Sequence, residues 1–139
     1  MKIQTCFNLK LRQANRVLTN YYNEYLTDLG IKITQFSLLR SLWYMKTSSQ
    51  KELEKVLVVD QATLTRNLQP LIRQGYIQTE RSNKDRRVTI VSLTESGKEL
   101  YHKAHEQWQK AQQSVSTKLG TDALQQLLDA SDTLLELKS

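Results

Sequence analysis

The chain has 139 residues, of which 24% are charged and one is cysteine, and its formal net charge at pH 7 is +6. This length predicts one domain, and a lone cysteine excludes an intramolecular disulfide. No apolar run approaches the roughly 20 residues that span a bilayer, and the N-terminus lacks a signal-peptide pattern. The composition therefore favours a cytoplasmic protein with a basic surface.

Two helices are predicted in the first third of the chain. Apolar residues recur three or four positions apart from residue 3 to about residue 29, which predicts a first helix that ends at Gly30. Thr34 is expected to cap a second helix that runs to about Tyr44. The side chains of this helix that should face inward are Phe36, Leu38, Leu39, Leu42 and Trp43.

A helix-turn-helix is predicted over residues 49–75. Ser49 and Glu52 have the spacing of a capping box, so a short helix should begin there. After a turn, Asp60 should cap a second helix that is ended by Gly75. The side chains expected to be buried are Leu53, Val56 and Leu57 on the first helix and Leu64, Leu68 and Leu71 on the second.

The opposite face of the second of these helices is polar. Its residues are Ala62, Thr63, Arg66, Gln69 and Arg73. Thr, Gln and Arg side chains on one exposed face can contact base edges and phosphates in a major groove. The pattern alone is also typical of an ordinary solvated helix face, so the residues that follow decide between the two interpretations.

A β-hairpin with a basic tip follows the helix-turn-helix. Residues 76–81 and 87–93 alternate and are rich in β-branched residues, and the polar segment 82–86 between them is typical of a turn. The basic residues around the tip are Arg81, Lys84, Arg86 and Arg87. Asp85 is close enough to Arg87 to hold its guanidinium by a bidentate pair. Because narrow minor grooves attract arginine, the hairpin is predicted to be a wing that contacts a minor groove.

The basic charge is concentrated in this central region. Residues 31–94 contain 11 Lys/Arg against 5 Asp/Glu, whereas residues 1–30 contain 4 against 2 and residues 95–139 contain 5 against 7. A nucleic-acid-binding face has this electrostatic signature. An anionic membrane would attract the same charge, but the chain has no basic amphipathic helix with an apolar aromatic face.

Two further helices are predicted after the hairpin. Thr94 should cap a helix that runs to about Leu119 and ends at Gly120, and Thr121 should cap the last helix. The apolar stripe of the first has the spacing of a helix–helix seam and consists of Tyr101, Ala104, Trp108, Ala111 and Val115. The stripe of the second consists of Leu124, Leu127, Leu128, Leu134 and Leu135.

The predicted fold is mainly α with a small β-hairpin wing, an α+β winged helix-turn-helix. Residues 31–94 form its DNA-binding lobe. Residues 1–30 and 95–139 exceed what a compact lobe needs, so they are predicted to be dimerisation helices. The whole chain, residues 1–139, is expected to be a single domain of this type.

The chain resembles the MarR family of bacterial transcriptional regulators over essentially its full length. The resemblance is carried by Thr34-Gln-Phe-Ser-Leu-Leu39, by residues 60–77, and by the Asp85-Arg-Arg87 wing followed by Leu93-Thr-Glu-Ser-Gly97. It implies a homodimer with interlocking N- and C-terminal helices that binds a pseudo-palindromic operator. It also implies a repressor that a small phenolic or aromatic ligand, or oxidation, releases from DNA.

These patterns assign residues to two sites. The residues expected to contact DNA are Gln61, Thr63, Thr65, Arg66, Gln69, Arg73, Lys84, Asp85, Arg86 and Arg87. Family resemblance puts an effector site where the dimer helices meet the lobe, and the residues expected near it are Tyr21, Phe36, Arg40 and Trp43. Aromatic rings with one arginine would suit an aromatic carboxylate. Phe36 and Trp43 are equally well explained as core residues.

An enzyme, a cofactor and a metal site are not predicted. The chain has no phosphate-binding glycine loop and no paired-carboxylate motif. His102 and His105 are spaced to share a helix face, but they lack further ligands and are better explained as solvated side chains. A winged-helix module that binds protein and not DNA is the alternative from another class, and a steep salt dependence of duplex binding would exclude it.

Cys6 raises the alternative of a redox-sensing regulator. Hydroperoxide sensors of the resembled family carry one reactive cysteine near the start of the first helix. The family register places that cysteine at Asn8, and it places the two tyrosines that hold the thiolate at Tyr22 and Ile33, of which Ile33 has no hydroxyl. Cys6 is therefore expected to be a packed thiol near the dimer interface.

Overall fold

The computed structural model describes residues 4–138, which form six α-helices and a three-stranded sheet. The helices are α1 Phe7–Leu26, α2 Ile33–Met45, α3 Gln50–Leu57, α4 Gln61–Arg73, α5 Glu95–Leu119 and α6 Thr121–Leu135. The strands are β1 Thr47–Ser49, β2 Ile77–Arg81 and β3 Thr89–Leu93. The predicted winged-helix fold is confirmed. Within this part of the chain, no helix is both long and apolar enough to cross a membrane.

The sheet is antiparallel, with the strand order β1-β3-β2. The predicted hairpin is formed by β2 and β3, in which Ile77 lies opposite Leu93 and Arg81 lies opposite Thr89. The strand β1 was not predicted. It consists of three polar residues without an alternating pattern, and it becomes a strand because it pairs with the other edge of β3. The hairpin is thereby anchored to the segment that leads into α3.

The core lies between α2, α3, α4, the sheet and the first half of α5. Its largest fully buried side chains include Leu26, Phe36, Leu39, Leu42, Leu53, Leu64, Leu68 and Leu71. The predicted inward faces of α2 and α4 are confirmed in these leucines, although Trp43 is only half-buried. The prediction for Val56 is wrong, since 56% of this residue is exposed. The short helix α3 buries only the side that carries Leu53 and, in part, Leu57.

Several helix ends were predicted correctly from local sequence. Ser49 Oγ accepts a hydrogen bond from the Glu52 amide at 3.1 Å, and Glu52 Oε1 accepts one from the Ser49 amide at 3.3 Å. Gly75 and Gly120 have φ angles of +81° and +82°, which is the left-handed region that glycine adopts without steric cost. Each of these helix ends depends only on residues that lie within a few positions of it in the sequence.

Four other helix ends differ from the prediction. Residue 3 lies outside the described residues and α1 begins at Phe7, and α1 ends at Leu26, where a 3₁₀ turn, Thr27–Leu29, leads to Gly30. Thr34 does not cap α2, because the helix already begins at Ile33, whose amide donates to Asn23 Oδ1 of α1 at 2.7 Å. Thr121 is the first residue of α6 and does not cap it. Gln35 Oε1 also accepts from the Lys32 amide at 3.0 Å, so the start of α2 is capped both locally and by a neighbouring helix, and only the second of these is hidden from local sequence.

The helix α5 runs from the sheet to α1 and α6. Tyr21 of α1 is hydrogen-bonded through its hydroxyl to Ser114, and the Tyr22 hydroxyl donates to Gln112 Oε1. Both outer helices leave large apolar side chains exposed, which are Phe7, Leu9, Leu11, Val17 and Leu18 on α1 and Leu127, Leu128, Leu134 and Leu135 on α6. None of the fifteen residues of α6 is buried within the single chain.

Gly97 allows the first turn of α5 to lie against the residue before β2. A Cβ atom added at Gly97 would lie 2.0 Å from the carbonyl oxygen of Tyr76. That oxygen accepts a hydrogen bond from the Thr94 amide at 3.1 Å, so it is held in place by backbone. A side chain at residue 97 would therefore have to push the helix away from the sheet.

We expect Gly97→Ala to lower the free energy of unfolding by about 3 kcal/mol, because overpacking against fixed backbone costs about 1–3 kcal/mol or more. Denaturant unfolding followed by circular dichroism measures the change. Glu99→Ala, at an exposed position of the same helix, is the control and should change stability by less than about 0.5 kcal/mol. Equal stability of the two variants would contradict the close approach at Gly97.

Candidate nucleic-acid interface

The start of α4 is fixed by a side-chain cap. Asp60 Oδ1 accepts a hydrogen bond from the Thr63 amide at 2.8 Å. This backbone hydrogen bond is the main reason why the pKa of the Asp60 carboxyl lies below its ordinary value. The preceding turn is sharp because Val58 has a φ of +54°, a conformation that β-branched residues rarely adopt. The first turn of α4 is therefore held in a defined direction relative to α3.

The polar face of α4 points away from the core. Most of its predicted DNA-contacting residues are exposed, namely Gln61, Thr65, Arg66, Gln69 and Arg73, whereas Thr63 is half-buried. Arg66 Nη2 donates to Thr63 Oγ1 at 3.3 Å, so the guanidinium lies back along the first turn of the helix. The structure thus brings these side chains together on one accessible strip.

The wing presents an arginine in a fixed pose. Arg87 Nε and Nη2 donate to Asp85 Oδ1 and Oδ2, each at 3.1 Å, and the Arg87 amide also donates to Oδ1 at 3.1 Å. The bidentate pair expected from the sequence is present. The Arg87 guanidinium lowers the pKa of the Asp85 carboxyl, so the carboxyl is ionised at neutral pH. The pair should be lost only when the pH falls below the ordinary range of a carboxyl group.

The rest of the hairpin tip is also ordered by hydrogen bonds. The Ser82 amide donates to the Val88 carbonyl at 2.9 Å, and Ser82 Oγ accepts from the Lys84 amide at 3.2 Å. Arg81 Nη1 donates to the Arg86 carbonyl at 3.3 Å. Lys84, Arg86 and Arg87 are exposed. The tip therefore presents several cations to solvent from a closed loop.

Three of the four residues assigned to an effector site meet at the junction of α2 and α5. Phe36 stacks against Tyr101, with ring centroids 5.8 Å apart, and Trp43 stacks against Tyr101 at 5.3 Å. The guanidinium carbon of Arg40 lies 5.0 Å from the ring centroid of Trp108, within the range of a cation–π interaction. Phe36 is only 1% exposed, so it is a core residue and not an accessible part of a ligand site.

Tyr21, the fourth residue, contacts a different part of α5. Its hydroxyl is hydrogen-bonded to Ser114 and, at 3.1 Å, to the hydroxyl of Tyr25. The hydrogen bond with Ser114 lowers the pKa of Tyr21. Tyr101 and Trp108 are not among the residues that the sequence predicts for this site. Both lie in the predicted apolar stripe of α5, but only the structure shows that they face α2.

The two histidines pack against the same rings. His102 lies edge-on to Trp43, with ring centroids 4.5 Å apart, and His105 Nδ1 lies 3.4 Å from the Tyr101 hydroxyl. Among residues 4–138, no group of three or more histidine, cysteine or acidic side chains is arranged to hold a metal ion. The prediction of a fully solvated histidine face is therefore wrong for His105, which is half-buried against aromatic rings.

Cys6 is exposed and lies immediately before α1. The expected packing of this thiol at a dimer interface is not tested by a single chain. Redox regulation through Cys6 stays a hypothesis.

The helix-turn-helix, its exposed polar strip and the adjoining basic wing define a winged-helix transcriptional regulator. The family model described as transcriptional regulator SarA/Rot matches residues 20–104. The chain is 35% identical over 104 residues to the organic hydroperoxide resistance transcriptional regulator of Bacillus subtilis strain 168, which covers 75% of this chain and 71% of that protein. It is 32% identical over 96 residues to the multiple antibiotic resistance protein MarR of Escherichia coli strain K12, covering 69% of this chain and 67% of that protein.

A solved structure agrees with these sequence matches. A cysteine variant of MarR from E. coli, in complex with operator DNA, matches with a TM-score of 0.84 and 29% identity, and 92% of each chain is covered. The chain therefore belongs to the MarR family of transcriptional regulators, and residues 20–104 also belong to the SarA/Rot family. It is a regulator and not an enzyme.

The hydrogen-bonded pair of Asp85 and Arg87 predicts effects on DNA binding that a count of charges does not predict. Arg87→Ala should weaken DNA binding by about 1–3 kcal/mol, the range for a well-placed arginine contact. Asp85→Ala should also weaken binding, although it removes a negative charge next to DNA, because it releases the Arg87 side chain. Fluorescence anisotropy with a labelled duplex measures both effects.

Glu80→Ala is the matched control, since it removes an exposed acid from the same hairpin without touching Arg87. It should leave binding unchanged or slightly strengthen it. Stronger binding by Asp85→Ala, similar to that of Glu80→Ala, would show that Asp85 does not position the arginine.

Proposed function

We propose that this protein is a repressor that binds a pseudo-palindromic operator as a homodimer and acts in the cytoplasm. The observation that carries the proposal is the exposed strip of Thr, Arg and Gln side chains on α4 beside the Asp85–Arg87 pair of the wing. The strip suits base edges in a major groove, and the wing arginine suits the neighbouring minor groove. The E. coli relative that was solved with operator DNA supports the same use of this fold.

The outer helices support a homodimer. Helices α1 and α6 leave nine large apolar side chains exposed in the single chain, and large exposed apolar patches usually mark an interaction surface. A second copy of the chain carries the same two helices and can cover them in a closed, two-fold assembly. Two lobes in such a dimer would contact half-sites about one helical turn of DNA apart. A dimer that covers this much DNA excludes other proteins from it, which is how we propose that it represses.

A small aromatic acid is the effector that we propose. The cluster of Arg40, Trp43, Tyr101 and Trp108 lies where α2 of the lobe meets α5, which continues to the outer helices. Arg40 is exposed, so its guanidinium is available to a carboxylate, and the partly exposed Trp108 ring beside it would contact the aromatic part of the ligand. A ligand bound at this junction would change the angle between the lobe and the outer helices, and hence the spacing of the two lobes.

Selection of binding sites from a pool of random duplexes tests the DNA-binding function. The wild-type protein should enrich an inverted repeat with half-site centres about 10 base pairs apart. Arg66→Ala should lose or change the preference at one position of each half-site, because a bidentate arginine contact contributes about 1–3 kcal/mol of discrimination.

Arg12→Ala, on α1 and away from the lobe, is the control and should enrich the wild-type sequence. Enrichment of no sequence by the wild-type protein would contradict the proposed function. The same preferred sequence for Arg66→Ala and wild type would contradict only the role of Arg66.

The effector proposal predicts that millimolar salicylate or 4-hydroxybenzoate weakens binding to the selected duplex and raises the melting temperature of the free protein, since a ligand stabilises the state that it binds. Arg40→Gln should abolish both effects while leaving DNA affinity without ligand unchanged. Benzyl alcohol, which lacks the carboxylate, should have little effect. If neither acid changes DNA affinity or melting temperature, the proposed effector class is wrong.

A further inference from the structure

A cleft lies between the helix-turn-helix and the base of the wing. Its volume is about 470 Å³, and its walls come from the first turn of α3, the first residue of α4 and the segment around Asp85 and Arg87. Lys51 of α3 contributes a cation to the lining, together with Glu54. No residue of α3 is among the predicted DNA contacts, so this side of the cleft has no role in the interface described above.

In the proposed DNA complex, a sugar–phosphate strand of the duplex passes over this cleft. Gln61 at the start of α4 would lie at a major groove, and Arg87 would lie at the neighbouring minor groove. A sugar–phosphate strand separates any major groove of B-DNA from the minor groove beside it. Because Gln61 of α4 and Arg87 of the wing both line the cleft, a strand that passes between these two contacts would cross its mouth.

Lys51 is available to this strand. Its side chain is 81% exposed, and its ammonium nitrogen lies 4.0 Å from Oε1 of Glu54, whose side chain is only 16% exposed. A contact at that distance is weak, and an exposed ion pair of this kind contributes little to stability. Since so weak a contact does not hold the ammonium, all three of its donors are available to a phosphate at the cleft. Arg87, in contrast, already uses two of its donors on Asp85.

We propose that Lys51 binds a backbone phosphate of the DNA strand that crosses this cleft. The inference rests on the proposed function and extends the interface from α4 and the wing to α3. A lysine–phosphate contact fixes the position of the protein on the duplex but does not distinguish between bases. Lys51 therefore contributes to affinity for every duplex, and the preferred sequence is set elsewhere.

The salt dependence of binding tests this contact directly. Each phosphate contact contributes about 0.9 to the slope of log Kd against log salt concentration, and a dimer has two clefts, so Lys51→Gln should make the slope shallower by about 1.8. Between about 50 and 200 mM KCl, the Kd of the variant should therefore rise about tenfold less than that of the wild type. Fluorescence anisotropy is measured on the full chain with the selected duplex and with an unrelated duplex of equal length.

Two variants serve as controls. Lys51→Arg keeps a cation at the cleft and should retain the wild-type slope, whereas Lys103→Gln removes the same charge from an exposed position of α5 and should also retain it. Lys51→Gln should weaken binding to both duplexes by the same factor. An unchanged slope for Lys51→Gln, an equal change for Lys103→Gln, or a loss confined to the selected duplex overturns the contact while DNA binding itself stands. A wild-type protein that binds neither duplex overturns the proposed function and this inference together.

Discussion

The hydrogen bonds of Thr94, the residue before α5, hold α4, the wing and α5 in one arrangement. The Thr94 hydroxyl donates to the Gly75 carbonyl at the end of α4, with 2.6 Å between the oxygens, and it accepts from the Gly97 amide at 3.0 Å. The Thr94 amide donates to the Tyr76 carbonyl at 3.1 Å. Since Thr94 also follows β3 directly, this residue connects the end of α4, the wing and the long helix α5, and its hydrogen bonds restrict their rotation relative to one another.

This constraint matters for the proposed operator complex, because a dimer that binds two half-sites depends on distance and angle as much as on side-chain chemistry. In the proposed complex, the residues on α4 would contact bases only if the first turn of α4 enters the groove, and the Asp60 cap and the sharp turn at Val58 set the direction of that turn. The Asp85–Arg87 pair removes the remaining freedom of the wing arginine. Each of these contacts orders the unbound protein in advance, so the loss of conformational entropy on binding is smaller.

The aromatic cluster between α2 and α5 is the second connection between the lobe and the outer helices. Its rings are in contact from Trp43 through Tyr101 and Phe36 to Trp108, and Arg40 lies against the last of them. Side chains packed this closely move together, so a displacement of Arg40 would also displace the rings that pack against α5. The cluster is thus suited to link an effector to the spacing of the lobes, which is the regulation that we propose.

The sequence by itself determined the helices, the hairpin, most helix ends and the wing pair. Each of these depends on residues a few positions apart, such as Ser49 with Glu52 or Asp85 with Arg87. Tertiary structure alone decided the strand β1, the cap of α2 by Asn23, the exposure of Val56 and the cleft beside Lys51. These features arise where segments distant in sequence meet, and neither periodicity nor local spacing carries information about such contacts.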